Sequence, residues 1–131
     1  MIVVTSTTVR NAMLDAVETA VGTSPVLKII SGTIPATTAE TDAGTVLATI
    51  SLPSDWAAAA SAGSKALSGT PLQDTSADNT GDATHWRLFD SSGTCHLQGD
   101  ITATGGGGSL TLANTSLTLG GLVQVTSGTI S

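Results

Sequence analysis

Beyond Pro25 the chain is written in short runs of Val, Ile, Leu and Thr, most of them closed within a few residues by Gly, Pro, Asp or Asn. That punctuation suits strands of about half a dozen residues joined by turns. Val26–Ser31 is a compact apolar run ended by Gly32 and Pro35. Ala36–Gly44 is a polar loop carrying Glu40 and Asp42. Thr45–Leu52 alternates, with Val46, Ala48 and Ile50 on one side and Leu47, Thr49 and Ser51 on the other, and Pro53 stops it. Two weak, Ala-rich strands are expected around Trp56–Ala60 and Ser64–Leu67. Pro71–Ala83 reads as a long acidic loop. Further strands are expected at Thr84–Asp90, Cys95–Ala103, Ser109–Ala113 and Gly121–Ile130. The pattern predicts a mainly β fold in one domain over residues 1–131: a jelly-roll-like antiparallel β-sandwich.

One segment before Pro25 departs from this. Ser6–Val21 predicts a helix, because Val9, Met13, Leu14, Val17 and Val21 form a stripe at helical spacing. Ser6 or Thr7 can cap its start, and Gly22 and Pro25 can end it. Arg10 stands early and Glu18 late, against the helix dipole. Such a helix needs packing against a sheet to persist, and the stripe is expected to face the core.

The rare side chains gather in Thr84–Ala103, which holds Trp86, the single Phe89, the single Cys95, both histidines (His85 and His96) and Arg87. Asp90-Ser91-Ser92-Gly93-Thr94-Cys95 is a turn. Pairing Asp90 with Cys95 sets Phe89 against His96, Leu88 against Leu97, Arg87 against Gln98, Trp86 against Gly99 and His85 against Asp100. Strand period two then sorts them onto two faces. Trp86, Leu88, Leu97, Gly99 and Ile101 make a core face, with Gly99 leaving room for the indole. His85, Arg87, Phe89, His96, Gln98 and Asp100 make the other. That face reads as either a solvated surface or a protein contact; Arg87, Phe89 and His96 are its candidate protein-contact residues, since aromatics and Arg are enriched at interfaces. The helix and the N-terminal arm are further candidates.

Placed in register, these groups do not converge on chemistry. His85 and His96 stand too far apart to share a metal ion. His85 opposite Asp100 could form an orienting pair, but no Ser or Cys nucleophile is placed to use it. Cys95 points away from His96. Asp74, Asp78 and Asp82, with Asn79 and Gly81, are oxygen-rich but lack the spacing of a calcium loop. Gly105–Gly108 lacks the Lys-Ser/Thr of a phosphate-binding loop and reads as a flexible connection. The sequence therefore predicts no enzyme, no cofactor and no metal.

Composition narrows the partners. Charged residues make up 11% of the chain, against about 25% in typical soluble domains. So sparse a charge suggests that part of the surface is covered by partners. Net charge is −6 with four basic residues, Arg10, Lys28, Lys65 and Arg87, which are scattered; direct nucleic-acid binding is not expected. Met1-Ile-Val-Val has no basic stretch before it, and no run approaches the roughly 20 apolar residues of a membrane span, so neither a signal peptide nor a membrane is expected. Trp56 beside Asp55 is the best available platform for a sugar, with a core anchor as the competing reading.

Several stretches carry a resemblance: Ser6–Ala16 with its Arg10-Asn11-Ala12-Met13-Leu14 centre, Leu27–Ala36, the Ala/Gly segment Trp56–Gly69, the hairpin Thr84–Thr94, and the ending from Leu110-Thr111-Leu112 to Val125-Thr126-Ser127. Together they resemble the small head cement, or decoration, proteins of tailed bacteriophages. The resemblance covers most of the chain but transfers no binding residue. It implies a jelly-roll-like structural protein of the virion, made in the host cytoplasm. It would sit on the outer capsid surface, bind the major capsid protein, pair with itself as a homodimer and clamp neighbouring capsid subunits. The alternative is a phage appendage module that binds a host receptor or glycan.

Overall fold

The computed structural model describes residues 3–69 and 72–131. Met1 and Ile2 of the apolar start and Pro71 at the head of the acidic segment lie outside them. Helix α1 (Thr7–Val21) begins at Ser6, whose side chain accepts from the Val9 amide at 3.2 Å. Ten strands follow: β1 (Val26–Ile30), β2 (Val46–Ser51), β3 (Lys65–Ala66), β4 (Leu72–Asp74), β5 (Gly81–Asp82), β6 (His85–Phe89), β7 (Cys95–Ala103), β8 (Leu110–Leu112), β9 (Ser116–Leu117) and β10 (Val123–Ile130). The fold is mainly β and sandwich-like, with one N-terminal helix.

The main sheet runs β2-β1-β6-β7-β8-β10-β3, and β4 also pairs with β10; β5 and β9 form a separate ribbon. The sheet curls until its ends approach. Beyond β4, the Asp78 amide donates to the Leu47 carbonyl of β2 at 2.7 Å, and the Thr49 amide of β2 donates to Asp74 Oδ2 at 3.1 Å. One core fills the curl, with Trp56, Leu27, Ile29, Leu47, Leu112 and Val125 almost wholly buried. Burying each such side chain contributes about 1.5–3 kcal/mol. The residual cavity among Trp56, Leu67 and Leu110 is only about 10 Å³, so the interior is packing rather than a binding site.

The β6–β7 hairpin keeps the expected register at four pairs: Leu88 with Leu97, Arg87 with Gln98, Trp86 with Gly99 and His85 with Asp100. The fifth differs, since Phe89 pairs with Cys95 and not with His96. The turn explains it. Asp90 Oδ1 accepts from the Ser92 amide at 2.9 Å and the Thr94 amide at 3.0 Å, and the Asp90 amide donates to the Thr94 carbonyl. That closes the turn one residue earlier, and a bulge between Leu88 and Phe89 absorbs the offset.

Every ladder is antiparallel except β7–β8, where Ile101, Thr102 and Ala103 pair in parallel with Leu110, Thr111 and Leu112. The chain must therefore double back within Thr104–Ser109, and this is what the glycine run accomplishes. Gly105 and Gly107 have φ of 87° and 84°, where a side chain is strained. A Cβ on Gly106 or Gly108 would lie within 3.0 Å of Thr102. The run expected as a flexible connection is instead a tight return loop, tied by the Gly108 amide to Thr102 Oγ1 at 3.0 Å.

The expected acidic loop is also partly strand, since it contains β4 and β5. Its polar groups cap the outer edge of β2: Asn79 Nδ2 donates to the Val46 carbonyl at 2.9 Å, and Thr49 Oγ1 donates to Asp78 Oδ2 at 3.1 Å. Covering an edge in this way removes a template for pairing with another chain. Among the described residues no cluster of three or more His, Cys, Asp or Glu is arranged to hold a metal ion.

Candidate functional site

The face of the β6–β7 hairpin expected to look outward is covered. The connection from Ser31 to Thr45 lies across it as a strap, held by the side chains that were expected to be free. Arg87 Nη2 donates to the Thr38 carbonyl at 2.8 Å and the Glu40 carbonyl at 2.9 Å. Gln98 Nε2 donates to the Pro35 carbonyl at 2.7 Å. His85 Nε2 meets Asp42 Oδ2, and Thr84 Oγ1 donates to the Gly32 carbonyl at 2.7 Å. Arg87 is consequently 3% exposed and His85 1%. The candidate contact residues do not form one patch. Arg87 lies under the strap. Phe89 is half-buried at the strap's margin, and half-buried His96 bonds Asp90 Oδ2 of its own hairpin at 2.8 Å.

The expected His85–Asp100 pair does not form, although the two residues are register partners. His85 turns to the strap. Asp100 instead accepts from the Ser109 amide at 3.0 Å and the Ser109 hydroxyl at 2.9 Å, which hold its carboxyl below the usual range. Ser109 in turn accepts from Trp86 Nε1 at 3.0 Å.

The sequence reading did not foresee that Asp42, His85 and Thr84 stand in line, with His85 Nδ1 2.9 Å from Thr84 Oγ1. This superficially matches a carboxylate–imidazole–hydroxyl relay. The Thr84 proton, however, has the carbonyls of Gly32 and Ile30 as acceptors, and the contact to Gly32 is the shortest. The line works as a clasp on the strap, not as an activated nucleophile. Burial alone would raise the Asp42 carboxyl. Hydrogen bonds from His85 and the Gly44 amide, with the charge of Arg87 nearby, outweigh that and hold it lower.

A second arrangement absent from the sequence reading anchors α1. Lys65 is 1% exposed, and its ammonium meets Asp15 at 2.9 Å, Glu18 at 2.8 Å and the Ala58 carbonyl at 2.8 Å. Two further ties join the helix to the Ala57–Leu67 hairpin: the Ala60 amide to Asp15 and the Gly63 amide to Asn11, at 2.8 and 2.9 Å. Asp15 and Glu18, three apart on one helical face, were the available sign that a cation had to meet them.

This anchoring leaves half of the helical stripe uncovered. Leu14 and Val21 are buried and Val17 packs against the core, whereas Val9 is 46% and Met13 59% exposed. The stripe was expected to face inward along its whole length, but the sheet reaches only its later turns. Val3 and Val4, in the arm before the helix, are 85% and 87% exposed. Trp56, the candidate sugar platform, is fully buried, with Nε1 on the Gly22 carbonyl at 3.0 Å. It is a core anchor.

Comparison of this chain with protein-family models, with curated proteins and with solved structures found no match.

Proposed function

We propose that this chain is a structural virion protein that binds the outer surface of a phage head and bridges neighbouring major capsid subunits as a homodimer. The observation that carries the reading is the apolar surface left bare at Val3, Val4, Val9 and Met13. Water-exposed apolar side chains mark contact surfaces when they cluster; four of the seven large ones among the described residues belong to the arm and the helix, the others being Ile34, Leu119 and Leu122. The phage-cement resemblance supplies the class of partner, and the low charge favours flat, close contact. His85, Arg87, Asp42 and Asp100 are engaged in holding the chain's own strap and loops, which fits a protein that acts by contact. Many copies, each burying roughly 1,200–2,000 Å², would stabilise the mature shell by mass action, because they bind that arrangement alone. The reading as a receptor- or glycan-binding appendage loses its best platform with Trp56 buried.

The test is to count and then restore. Virions are fractionated and the protein is quantified against the major capsid protein. Heads stripped of it are heated with and without added protein. Hundreds of copies per head, and genome release shifted to higher temperature on re-addition, are expected. Met13→Asp, at an exposed position, should fold like the parent but fail to rebind. A handful of copies per head, or equal heat resistance of stripped and complete heads, overturns the proposal.

A further inference from the structure

Two of the four basic residues in this acidic chain stand face to face. Lys28 on β1 and Arg87 on β6 are direct register partners in an antiparallel pair. Like charges so placed repel, and a nearby carboxylate normally relieves the repulsion. Asp42 feels the charge of Arg87, but among the described residues neither Lys28 nor Arg87 has a carboxylate within ion-pair distance, whereas Lys65 has two.

Arg87 is the sharper anomaly. It is 3% exposed, and its side-chain hydrogen bonds go only to backbone carbonyls, those of Thr38 and Glu40, both through Nη2. Its Nε is buried with no partner at all. A buried, incompletely paired charge is costly. Phe89 touches both cations, with Lys28 Nζ 4.7 Å and Arg87 Cζ 5.6 Å from its centroid. The ring attracts both but neutralises neither.

These groups line an open groove of about 530 Å³, walled by Thr38–Asp42 of the strap on one side and the Gly93–Cys95 turn on the other. Its two acids already have partners. Glu40 accepts from the Ala36 amide at 3.2 Å, and Asp42 from the Gly44 amide and at His85.

We propose that this groove seats a single carboxylate, presented by an Asp or Glu side chain of a protein partner, on Lys28 and Arg87. Lys28 and Arg87 offer the carboxylate two positive charges, and a planar carboxylate suits the flat guanidinium. A phosphate dianion would be repelled more strongly by Glu40 and Asp42 at the rim. The site does not depend on the partner being a capsid, so it stands or falls separately from the proposed function.

The probe is a blocked tetraglutamate peptide, titrated at low salt into the full-length protein and followed by amide NMR. Saturable shifts are expected at Lys28, Thr41, Arg87 and Phe89. Lys28→Gln should weaken binding about fivefold, and Glu40→Gln, which removes a rim charge, should strengthen it by a similar factor. Spectra of both unliganded variants should match the parent away from the groove, which separates lost binding from lost folding. The proposal is overturned if those amides do not shift, if Lys28→Gln binds like the parent, or if inorganic phosphate saturates the groove and the peptide does not.

Discussion

Replacing Lys65 with Met tests whether one buried ammonium holds the helix to the sheet. Met preserves most of the stem's packing and removes only the charge and its three hydrogen bonds. The Ala58 carbonyl, now 2.8 Å from Nζ, loses a charged donor, and a hydrogen bond to a charged group contributes about 1.5–3 kcal/mol. The ion pairs add less than their distances suggest, because the Asp15 and Glu18 side chains are 49% and 25% exposed and return readily to water. Relief from holding an ammonium out of water opposes the loss. The balance is a destabilisation of about 2–3 kcal/mol. In a chain of this size that lowers Tm by roughly 6–15 °C.

Urea unfolding with the slope held constant measures the free energy, and amide exchange locates it. The Ala60 and Gly63 amides, which donate to Asp15 and Asn11 of the helix, should lose protection before the β6–β7 hairpin does. A variant within about 0.5 kcal/mol of the parent, or one with faster exchange in the hairpin but not at Ala60 and Gly63, refutes the assignment of Lys65 as the anchor.

Two further outcomes follow from the geometry. Gly99→Ala places a Cβ 2.5 Å from Ser109 Oγ and 2.7 Å from Trp86 Nε1, so it should break the Trp86–Ser109 bond, cost about 1–3 kcal/mol and change the tryptophan near-UV signal; an unchanged signal and Tm would contradict the packing. Stability should also depend on pH at both extremes. The carboxyls of Asp15, Asp42, Asp90 and Asp100 are held below their ordinary values, Asp15 chiefly by Lys65, Asp90 chiefly by His96, Asp100 chiefly by the Ser109 amide, and Asp42 by His85 and Gly44 against its burial. A depressed carboxyl contributes stability above its unfolded value near 4, and that stability is lost as pH falls through the folded value. Lys65 is shifted upward: burial opposes the shift, but its bonds to Asp15 and Glu18 prevail. Its contribution is complete below about pH 10 and lost as pH rises through the folded value. Denaturant midpoints that stay flat from about pH 5 down to pH 2 would count against these carboxyl assignments.

The β6–β7 hairpin was legible because period two alone separates Trp86 and Leu88 from His85 and Arg87, and Gly99 marks where the indole needs space. What covers the second face was not. Arg87 and Gln98 bind the carbonyls of Thr38, Glu40 and Pro35, and every residue has a carbonyl, so no residue type at those positions announces the strap. The two-residue strands β5 and β9 were equally silent, since partners rather than propensity define them, whereas β3 falls within the weak strand expected at Ser64–Leu67. Helix α1 was legible as a helix, but its burial was not. The stripe from Val9 to Val21 is continuous in sequence, yet Val9 and Met13 are exposed because Lys65 fixes where the helix meets the sheet.

Expectation and structure part at the residues that bear on function. A face rich in Arg, His and aromatics was expected to meet water or a partner, and the protein uses it to hold its own strap. A helical stripe was expected to be wholly core, and half of it is bare. The strap leaves a groove where Lys28 and Arg87 lack carboxylates at ion-pair distance, on the internal pair β1–β6. The bare helix is tied to the β3 end of the strand order, through Lys65. The apolar surface and the cationic groove are thus carried by different elements, and the expectations for the hairpin face and for the helical stripe fail for one reason: what covers a face is decided by contacts distant in sequence.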